Sequence, residues 1–64
     1  MTTTQLKFGD VYKYTDQNKT VTAIYWGMTD DNYMFIPCHP VKKHFNGSPC
    51  ALTENEVQKH ISAN

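Results

Sequence analysis

Thr20-Val-Thr-Ala-Ile-Tyr-Trp-Gly-Met-Thr-Asp-Asp-Asn-Tyr-Met-Phe-Ile-Pro-Cys38 reads as two β-prone runs joined by a polar turn. β-branched and aromatic side chains suit a pleated surface, and Thr29-Asp30-Asp31-Asn32 supplies the reversal. The turn lacks the Asn-Gly or Asp-Gly pair that marks a tight hairpin most strongly. Strand parity divides the hairpin's large side chains into two sets. Ile24, Trp26, Met34 and Ile36 share one face, and Tyr25, Tyr33 and Phe35 share the other. The first set is expected to fill the core, which leaves Tyr25, Tyr33 and Phe35 outward as an aromatic contact surface. Cross-strand stacking, or burial of that face under a C-terminal helix, would be the purely structural use of the same residues.

The first of these strands changes parity along its length. Val21 and Ala23 are the apolar residues at its start, whereas Ile24, Trp26 and Met28 carry the apolar weight later. A bulge or sharp bend near Ala23-Ile24 would reconcile the two patterns, with Gly27 easing crowding further on. Strongly bent strands with such parity changes are what small closed barrels use to turn corners.

Upstream, Thr2 to Gln5 is polar, and residues 1–5 are expected to be a flexible end. Leu6 to Tyr14 is expected to be a first strand with Gly9-Asp10 as an early turn or bulge, followed by the turn cluster Thr15 to Lys19. Downstream, Tyr33 to Cys38 ends against Pro37 and Pro40, Val41 to Phe45 could supply a short fourth strand, and Asn46 to Pro49 is a turn. The clearest local signal is a helix over 53–62. Thr53 and Glu56 have capping-box spacing, and Leu52 and Val57 flank them as a hydrophobic staple. Val57 and Ile61, four apart, give the helix one apolar stripe for docking.

Bent strands followed by one short helix predict a mostly β single domain over 1–64, a small SH3-like, strongly bent β-barrel or sheet. Phe8-Gly9-Asp10-Val11-Tyr12, a polar turn, then Thr20-Val21-Thr22-Ala23-Ile24 resembles the opening of many SH3-like barrels. That resemblance implies a fold and no particular activity, since such folds serve many functions.

At 64 residues the chain is near the lower limit for an unstapled core, so partner binding or a homo-oligomer is a reasonable expectation. Six lysines, no arginine and six acids leave no net charge. A reader of DNA sequence, which leans on the guanidinium fork, is thereby disfavoured, as is an acidic DNA mimic. The start Met1-Thr-Thr-Thr-Gln5 has no signal-peptide pattern, and no segment approaches the roughly 20 apolar residues of a membrane span. A cytoplasmic location is expected, with Cys38 and Cys50 as thiols.

Cys38, His39, His44 and Cys50 are zinc-type ligands, but their spacing matches no common zinc site and no metal or other cofactor is expected. A Cys–His nucleophile lacks an orienting third group, Asp30-Asp31 lacks the further oxygens of a calcium loop, and the glycines are isolated. No enzymatic activity is expected. Lys42, Lys43 and His44, with Phe45 beside them, could touch single-stranded nucleic acid by charge and stacking, although a pool of six lysines is thin for it. The leading expectation is a non-enzymatic interaction module, an adaptor or inhibitor that binds a larger protein through Tyr25, Tyr33 and Phe35. Weak RNA or single-stranded DNA binding is the alternative.

Overall fold

The computed structural model describes all residues 1–64. Five strands form one antiparallel sheet: β1 (Val11–Asp16), β2 (Lys19–Thr29), β3 (Asn32–Pro37), β4 (Cys50–Leu52) and β5 (Ile61–Ala63). The helix α1 (Glu54–His60) lies between the last two strands in the chain. The sheet order is β4-β3-β2-β1-β5. It is open and does not close into a barrel.

β2 is the spine, pairing with β1 from Val11↔Ile24 to Asp16↔Lys19 and with β3 from Ala23↔Pro37 to Thr29↔Asn32. The irregularity in β2 lies further along than the parity change suggests. Register holds at Tyr25↔Phe35 and resumes at Met28↔Tyr33, so Trp26 and Gly27 together oppose Met34. This is a bulge, and Gly27 meets its backbone demand with φ of 96°. At the hairpin tip Asp30 and Asp31 both have positive φ, 51° and 65°, as in the mirror-image turns that match strand twist. Aspartate tolerates that region better than most residues, which is why the turn closes without a glycine.

Residues 1–5 are tied down, with Thr3–Gln5 forming a single 3-10 turn. The first strand starts at Val11, later than Leu6, because Gly9 bends the chain with φ of 87°. Val41 to Phe45 is not a strand. Only an isolated Cys38↔Phe45 bridge forms there, and the chain between is a turn.

Helix α1 starts where the capping box puts it. The Thr53 hydroxyl accepts from Glu56 N–H at 3.2 Å, and the Glu56 carboxylate accepts from Thr53 N–H at 3.0 Å. The helix is shorter than 53–62, because Ile61 takes extended geometry and begins β5 against Tyr14 of β1. Free backbone groups on that edge of β1 are satisfied by Ile61–Ala63, which outweighs two more helical residues.

The sheet has two unequal apolar faces. Under α1 lies the main core of Tyr12, Ala23, Tyr25, Phe35, Leu52, Val57 and Ile61. Val57 is fully buried, which contributes about 1.5–3 kcal/mol, and its staple partner Leu52 joins the same cluster. Tyr12 can be buried because its hydroxyl accepts from Lys7 N–H at 2.9 Å. The opposite face holds a smaller cluster of Ile24, Ile36 and Cys38, with Val11 against it. A seven-residue helix covers one side of the sheet only. The other side depends on the turn at Lys7–Asp10, which carries Phe8, and on the loop after β3.

Candidate functional site

The parity sets are as expected, and Ile24 and Ile36 are buried as expected, but the opposite set is buried too and forms part of the larger core. Tyr25 is 8% exposed and Phe35 3%, both in the core beneath α1, and Tyr33 is half-buried against them. The reason is the helix. Its Val57 stripe lands on the Tyr25–Phe35 face, where rings at 5.4 Å supply the area that a small aliphatic stock cannot. Burial raises the Tyr25 hydroxyl above its ordinary pKa, with the neighbouring Tyr33 and Tyr12 adding to the effect. These tyrosines and Phe35 are therefore packing residues in the folded chain. Trp26, expected inside, is 45% exposed.

Around Trp26 the structure assembles an aromatic surface from three separate segments. Phe8, from the turn between Lys7 and Asp10, stacks on Trp26 with centroids 4.9 Å apart and planes at 33°. Phe45, from the loop after β3, meets Trp26 edge-on at 5.4 Å and 87°. The Phe8 ring carbons sit 3.7 Å from where a Gly27 Cβ would be, an ordinary contact distance, so Phe8 packs directly over the bulge and glycine is needed there for its backbone angle. Phe8 remains 66% exposed and Phe45 50%, so the three rings pack on one another while presenting much of their area to solvent. Exposed Val41 stands further along the Phe45 loop. A contiguous cluster of large exposed rings carries more meaning than scattered apolar residues.

The loop bearing Phe45 is held in shape by its own hydrogen bonds. His39 Nδ1 accepts from Val41 N–H at 3.2 Å and from Lys42 N–H at 3.0 Å. His39 N–H donates to His44 O at 2.9 Å, and Lys43 N–H donates to His39 O at 3.0 Å. Lys43 closes this turn in the left-handed region, with φ of 62°, a conformation that costs a non-glycine residue of order 1 kcal/mol. The His39 and His44 rings lie 5.2 Å apart. Gly47 then passes so close to Pro37 that a Cβ there would lie 2.9 Å from the proline ring.

This arrangement joins two features that the sequence presents separately. Lys42, Lys43 and His44 are exposed and belong to the same loop as Phe45, beside the Trp26 rings. Phe8 and Phe45 escape a reading by periodicity because neither lies in a regular strand. Their only signal is a large aromatic next to glycine or asparagine in a turn.

The zinc-type residues do not converge, and no group of three or more His, Cys, Asp or Glu is placed to hold a metal. Both cysteines are free, Cys38 buried and Cys50 exposed. Burial pushes the Cys38 thiol up in pKa, with Lys43 pulling against it, so Cys38 is a poor nucleophile.

On the helix face the sheet also leaves an open cleft of about 580 Å³. Val21, Ala23, Phe35 and Pro37 line it, Tyr14 and Cys50 border it, and the polar turn from Asp16 to Lys19 closes one end. Burial, then the nearby Asp16 carboxylate, raises the Tyr14 hydroxyl. The Tyr14 ring is fixed by stacking on His60 at 4.9 Å, while His60 Nδ1–H donates to Thr15 O at 2.9 Å. The cleft has the volume of a small-molecule site.

No helix is long and apolar enough to cross a membrane. Comparison with protein-family models, curated proteins and solved structures gave no match.

Proposed function

We propose that this chain is a non-enzymatic protein-interaction module that binds a larger protein through the Phe8–Trp26–Phe45 surface. The observation that carries the reading is Trp26 at 45% exposure between two further exposed rings. A chain this short on apolar area gains stability by burying its one tryptophan, and leaving it half-exposed forgoes a large contribution. Tryptophan in a ring of apolar neighbours is the residue type that most often dominates binding energy. An adaptor or inhibitor role fits a small rigid domain that occupies part of a larger surface. The strand order β4-β3-β2-β1-β5, with α1 before the last strand, supports an SH3-like module in open form. Two unbridged cysteines suit a reducing, cytoplasmic setting.

A second reading, single-stranded nucleic acid, is favoured by one observation: Lys42, Lys43 and His44 flank rings on which bases could stack. It ranks lower because the chain contains no arginine and no net positive charge to drive counterion release. The test is capture from cell lysate with wild-type protein beside Trp26→Ala/Phe45→Ala. The wild type retains a defined protein that the folded double variant loses. Equal capture by both would place the contact elsewhere, and loss of the captured species on nuclease treatment would favour the second reading.

A further inference from the structure

Lysines outnumber acids on the aromatic face of this domain. Tyr12 and Tyr14 of β1 point toward α1, so Lys13 between them points to the Trp26 side, opposite Thr22 and Ser62 on its neighbours. Lys42 and Lys43 belong to the loop that delivers Phe45, and Lys7 immediately precedes Phe8. Lys43 is near enough to Cys38, in the smaller cluster of that face, for its charge to act on the thiol. The acids lie mainly elsewhere. Glu54 and Glu56 head α1 on the opposite side, and Asp16 acts on Tyr14 at the helix-face cleft. Asp30 and Asp31 occupy the hairpin tip, which leaves Asp10 as the one acid in the segments that build the aromatic face. Lys19 stands beside Asp16 at that cleft and Lys59 lies in the last turn of α1, so the helical side is mixed in sign, whereas the aromatic side carries Lys7, Lys13, Lys42 and Lys43 against Asp10 alone.

Resting on the contact surface proposed above, we infer that its occupant is an acidic protein segment with large apolar side chains flanked by carboxylates. The apolar side chains cover Trp26, Phe8 and Phe45, while the carboxylates meet Lys13, Lys42 and Lys43. Each element has a separate task. Ring burial provides the attraction, and the lysines set the sign of the partner and speed its approach. Lysine heads at a rim suit this work because their stems lie along apolar surface while the ammonium stays hydrated. The domain measures 27 × 25 × 19 Å, so one face accommodates roughly eight residues of extended chain. A phosphate backbone is a poorer match, because it would need a continuous cationic track and the guanidinium fork is missing.

The test uses the emission of Trp26, the only tryptophan, during titration with three synthetic twelve-residue peptides. Each carries the same pair of leucines, flanked by glutamate, glutamine or lysine, and an oligothymidylate of matched length is run beside them. The glutamate peptide binds about fivefold tighter than the glutamine peptide at low salt, as expected from two or three rim pairs, and the difference shrinks as salt is added. Lys42→Glu/Lys43→Glu reverses the order of the peptides, while Lys19→Glu/Lys59→Glu, away from the aromatic loop, leaves it unchanged. Equal binding of the glutamate and glutamine peptides would overturn the acidic preference and leave the Trp26 surface standing. If no peptide alters Trp26 emission, the acidic segment is rejected, and capture that also ignores Trp26→Ala/Phe45→Ala would reject the surface itself. Tighter binding of the oligothymidylate than of the glutamate peptide would replace the inference with a nucleic-acid ligand.

Discussion

Phe45 meets Trp26 edge-on, with ring centroids 5.4 Å apart and planes at 87°. The pair joins the loop after β3 to the bulge of β2 across the face that α1 leaves uncovered. An edge-on aromatic pair is worth about 0.5–1.5 kcal/mol beyond its buried area, enough to hold a loop already braced by His39. The same contact keeps both rings at the surface. One arrangement thereby orders the loop and builds the binding face.

The two faces of the hairpin should respond differently to truncation. Phe35→Ala removes a ring from the main core and should cost about 3–5 kcal/mol, enough to unfold a domain of this size. Trp26→Ala should leave the chain folded, with a melting temperature lowered by several degrees. Circular dichroism melts of the two variants check this, and a folded Phe35→Ala beside an unfolded Trp26→Ala would invert the assignment of faces.

Thr53→Ala should lower stability by about 1 kcal/mol, because the hydroxyl that accepts from Glu56 N–H is removed. The partner interaction sets a pH dependence. The Thr53 backbone and then its side chain hold the Glu56 carboxyl below the usual carboxylate range. A group depressed in the folded state contributes stability above its unfolded pKa and loses it as pH falls through the folded one. Acidification from about pH 5 downward should therefore erode the helix cap. Urea melts at several acidic pH values should show a shallower loss in Glu56→Gln than in the wild type.

Asp31→Gly should stabilise the hairpin by about 0.5–1 kcal/mol. Asp31 has φ of 65°, and glycine adopts that region without the cost of a Cβ. Asp-Gly is also the preferred pair for a tight turn of this hand. The check is a thermal melt, in which an unchanged or lowered midpoint would mean that the aspartate side chain contributes more than its backbone costs.

What was legible in the sequence was local. Thr53 and Glu56, Leu52 and Val57 specify the helix start within six consecutive residues, and the structure uses all four as the spacing implies. The division of Ile24, Trp26, Met34 and Ile36 from Tyr25, Tyr33 and Phe35 is equally local, since it follows from pleat alone. Which set faces inward is not local, because Val57 and Ile61 could dock an apolar stripe on either side. Short edge strands are illegible for a related reason. Cys50–Leu52 and Ile61–Ala63 become strands through pairing with Tyr33–Phe35 and Tyr12–Tyr14, and three residues carry little pattern of their own. Phe8 and Phe45 reach Trp26 only after the chain has folded, so the binding surface appears as a surface only in three dimensions.

The central claim is that Trp26 lies in the contact with a protein partner, and its indole can report on that directly. Protein labelled with fluorotryptophan gives one fluorine resonance, because the chain contains a single tryptophan, and an unlabelled partner adds none. Addition of the protein captured from lysate should shift and broaden that resonance in a saturable way and abolish its sensitivity to solvent deuteration. A resonance that stays unshifted and solvent-sensitive while the complex demonstrably forms would contradict the account and move the interface away from Trp26.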